Sequence, residues 1–132
     1  NVVAKSWGKA FLEKGDEIII TSLEHHANIV PWQMIAEEKG AVLKVIPMDQ
    51  NGILDMDAYK SLLNNKTKFV SLIHVSNALG VINPVEEMIT LARQYNAKVL
   101  IDGAQSSVHL DIDVVLVYCM EKRNYLSRCL RF

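Results

Sequence analysis

The apolar positions of the chain fall into two patterns that alternate along its length. Short runs of apolar and β-branched residues predict strands at 17–21, 42–46, 68–74 and 98–101. Between them, apolar residues spaced three and four apart predict helices over 2–14, 29–39 and 55–63, and a fourth helix that opens at Asn83-Pro84. The pattern therefore predicts strands and helices in regular alternation.

Capping residues mark where the predicted helices begin and end. Gly15 and Gly40 are expected to end the first two helices, because glycine readily adopts the left-handed conformation that follows a helix. Asn28 and Asp55 are expected to cap the starts of the second and third helices with their side-chain oxygens. Residues 49–52, after the second strand, have the composition of a tight turn.

Strands that alternate with helices of this length predict an α/β fold with a mostly parallel sheet, because each parallel connection needs a crossover. We assign this fold to residues 1–114. Residues 115–132 form a divergent tail. Residues 114–118 could form a strand, but residues 119–132 have no clean period. Basic side chains gather in this tail, at Lys122, Arg123, Arg128 and Arg131.

Composition narrows the classes of function. The 132-residue chain has a net charge of −1 and a pI near 6.5, so its charge does not favour nucleic acid or an anionic membrane as a partner. No apolar stretch reaches the roughly 18 residues that cross a bilayer, and the first residues lack the layout of a signal peptide. We therefore expect a soluble, cytoplasmic protein. Cys119 and Cys129 fit neither a CxxC pair nor a zinc site.

Three polar clusters directly follow predicted strands, at 24–28 (EHHAN), 74–77 (HVSN) and 102–105 (DGAQ). Because parallel α/β sheets bind ligands at the carboxyl ends of their strands, we expect the clusters to form one site. Each cluster also has an ordinary structural explanation. Asp102 could cap the next segment, His25 could be a surface residue and Asn77 could form an Asx-turn.

The residue types favour a heteroaromatic cofactor over a metal or a nucleotide. Adjacent His25 and His26 point in different directions in extended chain and make a poor metal pair, and glycine-rich phosphate motifs are absent. A flat imidazole such as His25 can stack on a ring, and Asp102 can bind a protonated ring nitrogen. Gln105 can hydrogen-bond a phenolate oxygen. Pyridoxal phosphate needs these partners, because its protonated ring serves as an electron sink.

The strings EHHANIVPWQ (24–33), HVSNALG (74–80) and DGAQ (102–105) closely resemble the SUF-type (group II) cysteine desulfurases. This group includes selenocysteine lyase and lies within the class V aminotransferase-like enzymes, which are fold-type I pyridoxal phosphate enzymes. The resemblance covers about residues 1–114. It implies that this part of the chain is the central portion of the large cofactor-binding domain.

The resemblance also implies a role for each matching residue. His25 stacks on the pyridine ring and can shuttle protons, and Asp102 pairs with the ring nitrogen. Gln105 contacts the phenolic oxygen, Asn77 lines the pocket, and His26 is a supporting residue. In the family, L-cysteine is converted to L-alanine and its sulfur passes to an enzyme cysteine, for iron–sulfur cluster assembly.

The chain departs from the family pattern near its end. The Schiff-base lysine would fall near position 128, where Arg128 stands, and arginine cannot offer a neutral amine because its pKa exceeds roughly 12. Lys122 is the nearest amine, but no motif supports it. The cofactor-phosphate turn is expected before Asn1, and the substrate-binding arginine and sulfur-accepting cysteine beyond Phe132. With the loss of resemblance after Val114, these departures predict a frameshifted or truncated reading frame.

We accordingly expect the chain to have little or no activity alone. Two other roles stay open. The chain could be a noncatalytic remnant or split half that associates with an intact desulfurase through its exposed sheet edges, or a fragment of a selenocysteine lyase. The expected partners are L-cysteine as the family substrate and either a second copy of the chain or an intact desulfurase.

Overall fold

The computed structural model describes residues 2–110, and the structural statements below refer to these residues. Four strands form one sheet: β1 Glu17–Thr21, β2 Val42–Ile46, β3 Thr67–Ile73 and β4 Lys98–Asp102. Their order in the sheet is β2-β1-β3-β4, and every neighbouring pair is parallel. The predicted parallel α/β sheet is confirmed, and each predicted strand lies within one residue of the observed one.

Helices cover both faces of the sheet. A π-helical segment, Ala4–Gly8, continues into α1, Lys9–Phe11, and a short 3-10 helix, His26–Asn28, precedes α2, Val30–Lys39. The later helices are α3 Met56–Leu62, α4 Val85–Arg93 and α5 Ser106–His109. Trp32 of α2 and Phe69 of β3 are buried on one face, whereas Tyr59 of α3 and Met88 of α4 are buried on the other. Within residues 2–110, no helix has the length and apolar character needed to span a membrane.

The first helix is shorter than the sequence pattern predicted. It ends at Phe11 and not near Gly15, because Leu12 adopts extended backbone with φ −84° and ψ 140°. This turn buries the Leu12 side chain in the core beside α2, and burial of a leucine contributes about 1.5–3 kcal/mol. The backbone N–H of Glu13 then donates to Asp16 Oδ2 at 2.8 Å, which holds the connection to β1.

The remaining helix boundaries show one further difference from the prediction. Gly40 ends α2 in the left-handed conformation, with φ 67°, and Asp55 Oδ1 caps α3 by accepting two backbone N–H groups at 3.0 and 2.8 Å, as predicted. The prediction that Asn28 caps α2 was wrong. Ile29 occupies the N-cap position without a side-chain hydrogen bond, because the Asn28 side chain belongs to a buried network described below.

The order of the strands places a topological switch point between β1 and β3. From β1 the chain crosses through α2 to β2 on one side, whereas β3 and β4 lie on the other side of β1. The helices α2 and α4 lie on opposite faces of the sheet, so the segments that leave β1 and β3 diverge. Parallel α/β sheets bind ligands at such a point, outside the carboxyl ends of the strands.

Candidate functional site at the strand ends

The residues predicted for the site lie at the carboxyl ends of three neighbouring strands. His25 follows the end of β1, Asn77 follows the end of β3, and Asp102 is the last residue of β4. Adjacent strands are about 4.8 Å apart, so the ends of β1 and β4 stand roughly 10 Å apart, on either side of β3. The sheet therefore brings these three residues to one edge.

His25 has an exposed ring whose position is fixed by the backbone of Ala27. Its Nδ1 accepts the N–H of Ala27 at 3.2 Å, so the neutral imidazole carries its proton on Nε2. His26, also exposed, meets the His25 ring edge-to-face, with centroids 6.1 Å apart and an interplanar angle of 90°. The ring of His25 is thus oriented and open to solvent beyond the carboxyl end of β1.

Asp102 is half-buried and joins β4 to the segment that follows β3. Its Oδ1 accepts the N–H of Ala104 at 3.0 Å, and its backbone carbonyl accepts the N–H of His74 at 3.0 Å. Within residues 2–110, Asp102 Oδ2 makes no hydrogen bond. The capping role considered for Asp102 therefore uses one carboxylate oxygen and leaves the second available to a ligand.

Asn77 and Gln105 are exposed residues in turns beside these strand ends. The turn that contains Asn77 is stabilised by Ser76 Oγ, which accepts the N–H groups of Ala78 and Leu79 at 3.4 and 3.3 Å. The side-chain acceptor of this turn is therefore Ser76 and not Asn77. Gln105 directly precedes α5. In the part of the chain that the structure describes, neither amide side chain is engaged in a hydrogen bond.

The carboxylate of Glu24 is buried next to His25, and the sequence pattern had placed it in the 24–28 cluster without a role. Glu24 is 7% exposed, and its Oε1 accepts the Thr21 hydroxyl and the N–H of Ile73, both at 2.7 Å. Its Oε2 accepts Asn28 Nδ2 at 2.6 Å. Burial raises the pKa of the Glu24 carboxyl, the three donors oppose this shift, and the negative charge of Asp102 adds to it. The two carboxylates therefore repel each other at the strand ends.

Asn28 extends this network to α2 and β3. Its Oδ1 accepts Trp32 Nε1 at 3.1 Å and the Ser71 hydroxyl at 2.8 Å. All of these groups are buried, and none of the buried side-chain polar atoms described lacks a partner. The sequence contains one sign of this buried network, because Ser71 is a polar residue inside the apolar run of β3.

The end of β3 is held by side chains on both sides. The N–H of Ile73 donates to Glu24, and its carbonyl accepts Asn83 Nδ2 at 2.8 Å. The N–H of Asn83 donates to the carbonyl of His74 at 2.8 Å. Partial burial lowers the pKa of His74, although the negative charge of Glu86 opposes this effect. These contacts fix the segment that carries Asn77.

The chemistry of these groups fits a protonated aromatic ring better than a metal ion. Across the described residues, no three His, Cys, Asp or Glu side chains lie close enough together to hold a metal. A pyridine ring could be contacted on its face by the exposed imidazole and at its nitrogen by the carboxylate with one available oxygen. The two unengaged amides could bind its oxygen substituents. Lys122, Arg128 and both cysteines lie outside the described residues, so the expectations about them stay predictions.

Comparison with known proteins identifies the family. The aminotransferase class-V family profile matches residues 1–119. This chain belongs to the aminotransferase class-V family. It is 57% identical over 119 residues to a protein of Synechococcus elongatus named cysteine desulfurase, and the match covers 90% of this chain and 19% of that protein.

Solved structures of similar proteins share the fold. A cysteine desulfurase of Escherichia coli superposes with a TM-score of 0.83 at 35% identity, over 87% of this chain and 29% of that chain. A cystine C-S lyase with glycine linked covalently to its pyridoxal phosphate cofactor superposes with a TM-score of 0.70 at 28% identity, over 82% of this chain and 30% of that chain. The chain thus spans less than a third of each relative, and its sheet is part of a fold-type I pyridoxal phosphate enzyme fold.

Proposed function

We propose that this chain is part of the cofactor-binding domain of a SUF-type cysteine desulfurase that uses pyridoxal phosphate and acts on L-cysteine. The observation that carries the proposal is the placement of His25, Asn77 and Asp102 at one edge of a parallel sheet in a class-V chain. The relatives named cysteine desulfurase support this activity over others in the family. The strings at 24–33 and 74–80 support the SUF type.

Asp102 would hold the pyridine ring nitrogen in its protonated form. One of its carboxylate oxygens is fixed by Ala104, so the carboxylate has a defined orientation and can accept a charge-assisted hydrogen bond with the other oxygen. When bound, pyridoxal phosphate supplies an electron-withdrawing ring that stabilises negative charge on the substrate carbon. The ring nitrogen must stay protonated for this purpose, and a nearby carboxylate favours the protonated form.

His25 would stack on the ring and carry a proton at Nε2. The hydrogen bond between Ala27 and Nδ1 leaves Nε2 as the nitrogen that can exchange a proton with the substrate. The edge-to-face contact with His26 supports the orientation of the His25 ring. Gln105 would donate to the phenolic oxygen of the cofactor, and Asn77 would line the same pocket.

We further propose that this chain supplies contacts to the ring but not the amine that binds the cofactor covalently. Arg128 stands where the family pattern places that lysine, and its guanidinium stays charged at any working pH. Transfer of sulfur to an enzyme cysteine, and cytoplasmic iron–sulfur cluster assembly, belong to the whole enzyme. A chain with ring contacts alone would act as a subunit or fragment that associates with an intact desulfurase or with its own copy.

The proposal is tested by titrating the purified chain with pyridoxal phosphate while recording the cofactor absorbance and circular dichroism. Borohydride reduction and intact mass then follow. We expect an induced dichroic band, no added mass on the chain, and binding roughly 10-fold to 100-fold weaker in Asp102→Asn, because a charge-assisted hydrogen bond contributes roughly 1.5–3 kcal/mol. Asp57→Asn, an exposed carboxylate of α3, is the matched control.

Three outcomes would count against the proposal, each against a different part of it. Equal affinities in Asp102→Asn and Asp57→Asn would contradict the assignment of the ring nitrogen to Asp102. The absence of any induced band would contradict cofactor binding. A fixed mass increase that maps to Lys122 would contradict only the statement that the chain lacks a usable amine.

A further inference from the structure

We infer that Glu24 and Asn28 form a positioning pair for His25, an inference that rests on the proposed function only for what His25 does to the cofactor. The two residues flank His25 in the chain, and their side chains are joined directly, since Asn28 Nδ2 donates to Glu24 Oε2 at 2.6 Å. The N–H of Asn28 also donates to the carbonyl of His25 at 2.8 Å. His25 therefore sits in a short loop that is held at both ends by one side-chain contact.

The pair ties this loop to the neighbouring strand. The last paired residues of β1 and β3 are Ile20 and Ser71, and beyond them the two strands separate. At that point Glu24 Oε1 accepts the N–H of Ile73, and the Ser71 hydroxyl donates to Asn28 Oδ1. Because β3 also pairs with β4 through Ile73 and Asp102, the pair fixes His25 relative to the carboxylate proposed to bind the ring nitrogen.

The donors and acceptors of positions 24 and 28 must match each other. With asparagine at position 28, every group that faces Glu24 is a donor, so position 24 then needs a side chain that only accepts. The Asn28 amide cannot turn over to relieve a mismatch, because its Oδ1 already accepts the indole N–H of Trp32, which can only donate. Glu24→Gln would place an NH₂ group against the NH₂ group of Asn28. Asn28→Asp would place two carboxylates in contact.

The double substitution Glu24→Gln with Asn28→Asp would satisfy every partner again. The new amide oxygen at position 24 can accept Thr21 and Ile73, and the new NH₂ group can donate to the carboxylate at position 28. The other oxygen at position 28 can accept Trp32 and Ser71. The two single substitutions should therefore be damaging, and their combination should be close to neutral. A group that acted only through packing volume would not show this reversal.

The test is a double-mutant cycle on the full chain, with ¹⁵N NMR of the His25 ring nitrogens and of the Trp32 indole N–H as readouts. The Trp7 indole N–H serves as an internal control. We expect each single variant to lower the folding equilibrium constant on the order of 10-fold to 100-fold, as an unsatisfied buried donor does. We also expect each to disturb the Nε2–H tautomer of His25, and the double variant to restore both measurements to within about threefold of the parent.

Glu17→Gln is the matched control variant. Glu17 is a buried carboxylate at the opposite end of β1, and its Oε2 accepts Asn64 Nδ2 and pairs with Lys44 Nζ, both at 2.7 Å. This substitution should reduce stability but leave the His25 and Trp32 signals at their parent positions. A positioning role is thereby separated from a general loss of stability.

Several results would overturn the inference. It fails if the folded single variants keep the His25 signals of the parent, if the double variant does not restore them, or if Glu17→Gln alters them equally. If the single variants unfold, the inference is tested by whether the double variant folds and keeps the His25 signals of the parent. An unfolded double variant also overturns the inference. Pyridoxine 5′-phosphate added to the parent chain gives a separate result. If it leaves the NMR signals of His25 unchanged, the proposed function is contradicted. The inference about Glu24 and Asn28 depends only on the double-mutant cycle.

Discussion

Replacing Gly52 with alanine tests how the turn after β2 supports the segment that carries Asn77. Gly52 has φ +79°, a conformation that L-residues rarely adopt, and a Cβ added there would lie 2.5 Å from Leu79 Cδ1. Leu79 belongs to the turn that contains Asn77 and is stabilised by Ser76. The new methyl group would therefore press against the loop that carries one of the proposed pocket residues.

Two contributions set the size of the effect. The left-handed conformation costs alanine roughly 1–2 kcal/mol. Displacing the Leu79 side chain from its rotamer costs about 0.5–1.5 kcal/mol, and because Leu79 is 53% exposed it can move outward without disturbing the core. The free energy of unfolding should fall by about 1.5–3.5 kcal/mol in total. Gly15→Ala provides the control, since Gly15 has φ +87° but no neighbour within 4 Å of an added Cβ.

The measurement is urea unfolding followed by tryptophan fluorescence, on Gly52→Ala, Gly15→Ala and the double variant Gly52→Ala with Leu79→Ala. We expect the loss of unfolding free energy in Gly52→Ala to exceed that in Gly15→Ala by about 0.5–1.5 kcal/mol. In the double variant, after the loss measured for Leu79→Ala alone is subtracted, only the conformational contribution should remain. Equal losses at both glycines, or no relief in the double variant, would refute the proposed contact.

Three further predictions concern stability. Tyr59→Phe removes the 2.8 Å hydrogen bond from the buried Tyr59 hydroxyl to the carbonyl of Met88 and should cost about 0.5–1.5 kcal/mol in urea unfolding; no change would contradict the bond. Asp55→Ala should cost about 0.5–2 kcal/mol in the same assay, through loss of the α3 cap, and Asp57→Ala should not. Burial raises the pKa of Glu17, but hydrogen bonds from Lys44 and its other neighbours outweigh this and hold it below 4.5. The contribution of Glu17 to stability is therefore present above pH 4.5 and is lost as the pH falls through the lower pKa of the folded state. In Glu17→Gln, the free energy of unfolding should fall less steeply with pH over this range.

Much of the fold could be predicted because its signals are local. The apolar runs of β1 and β2 coincide with the observed strands, and Gly40 and Asp55 act where their capping preferences indicate. The first helix was predicted too long because its end depends on a tertiary contact. Its period continues to Gly15, but burial of Leu12 in the core ends the helix earlier.

The buried part of the site could not be read from sequence spacing alone. Asn28 has the residue type and position of an N-cap, yet its decisive partner, Ser71, is 43 residues away. Glu24 is bonded to Ile73, which is 49 residues away. The strand ends could be expected to converge because every strand is parallel, whereas these partners depend on which strands are neighbours. The order β2-β1-β3-β4 decides that, and the pattern of elements does not reveal it.

The most direct test of the proposed site is an NMR titration of the full chain with pyridoxine 5′-phosphate. This ligand carries an alcohol in place of the aldehyde, so it reports recognition of the ring without covalent attachment to lysine. We predict that the largest shifts fall on His25, Asp102 and Gln105, at the carboxyl ends of the strands. Shifts confined to the surface near Trp7 and Lys68, at the opposite end of the sheet, or no shifts at all, would contradict the proposed site.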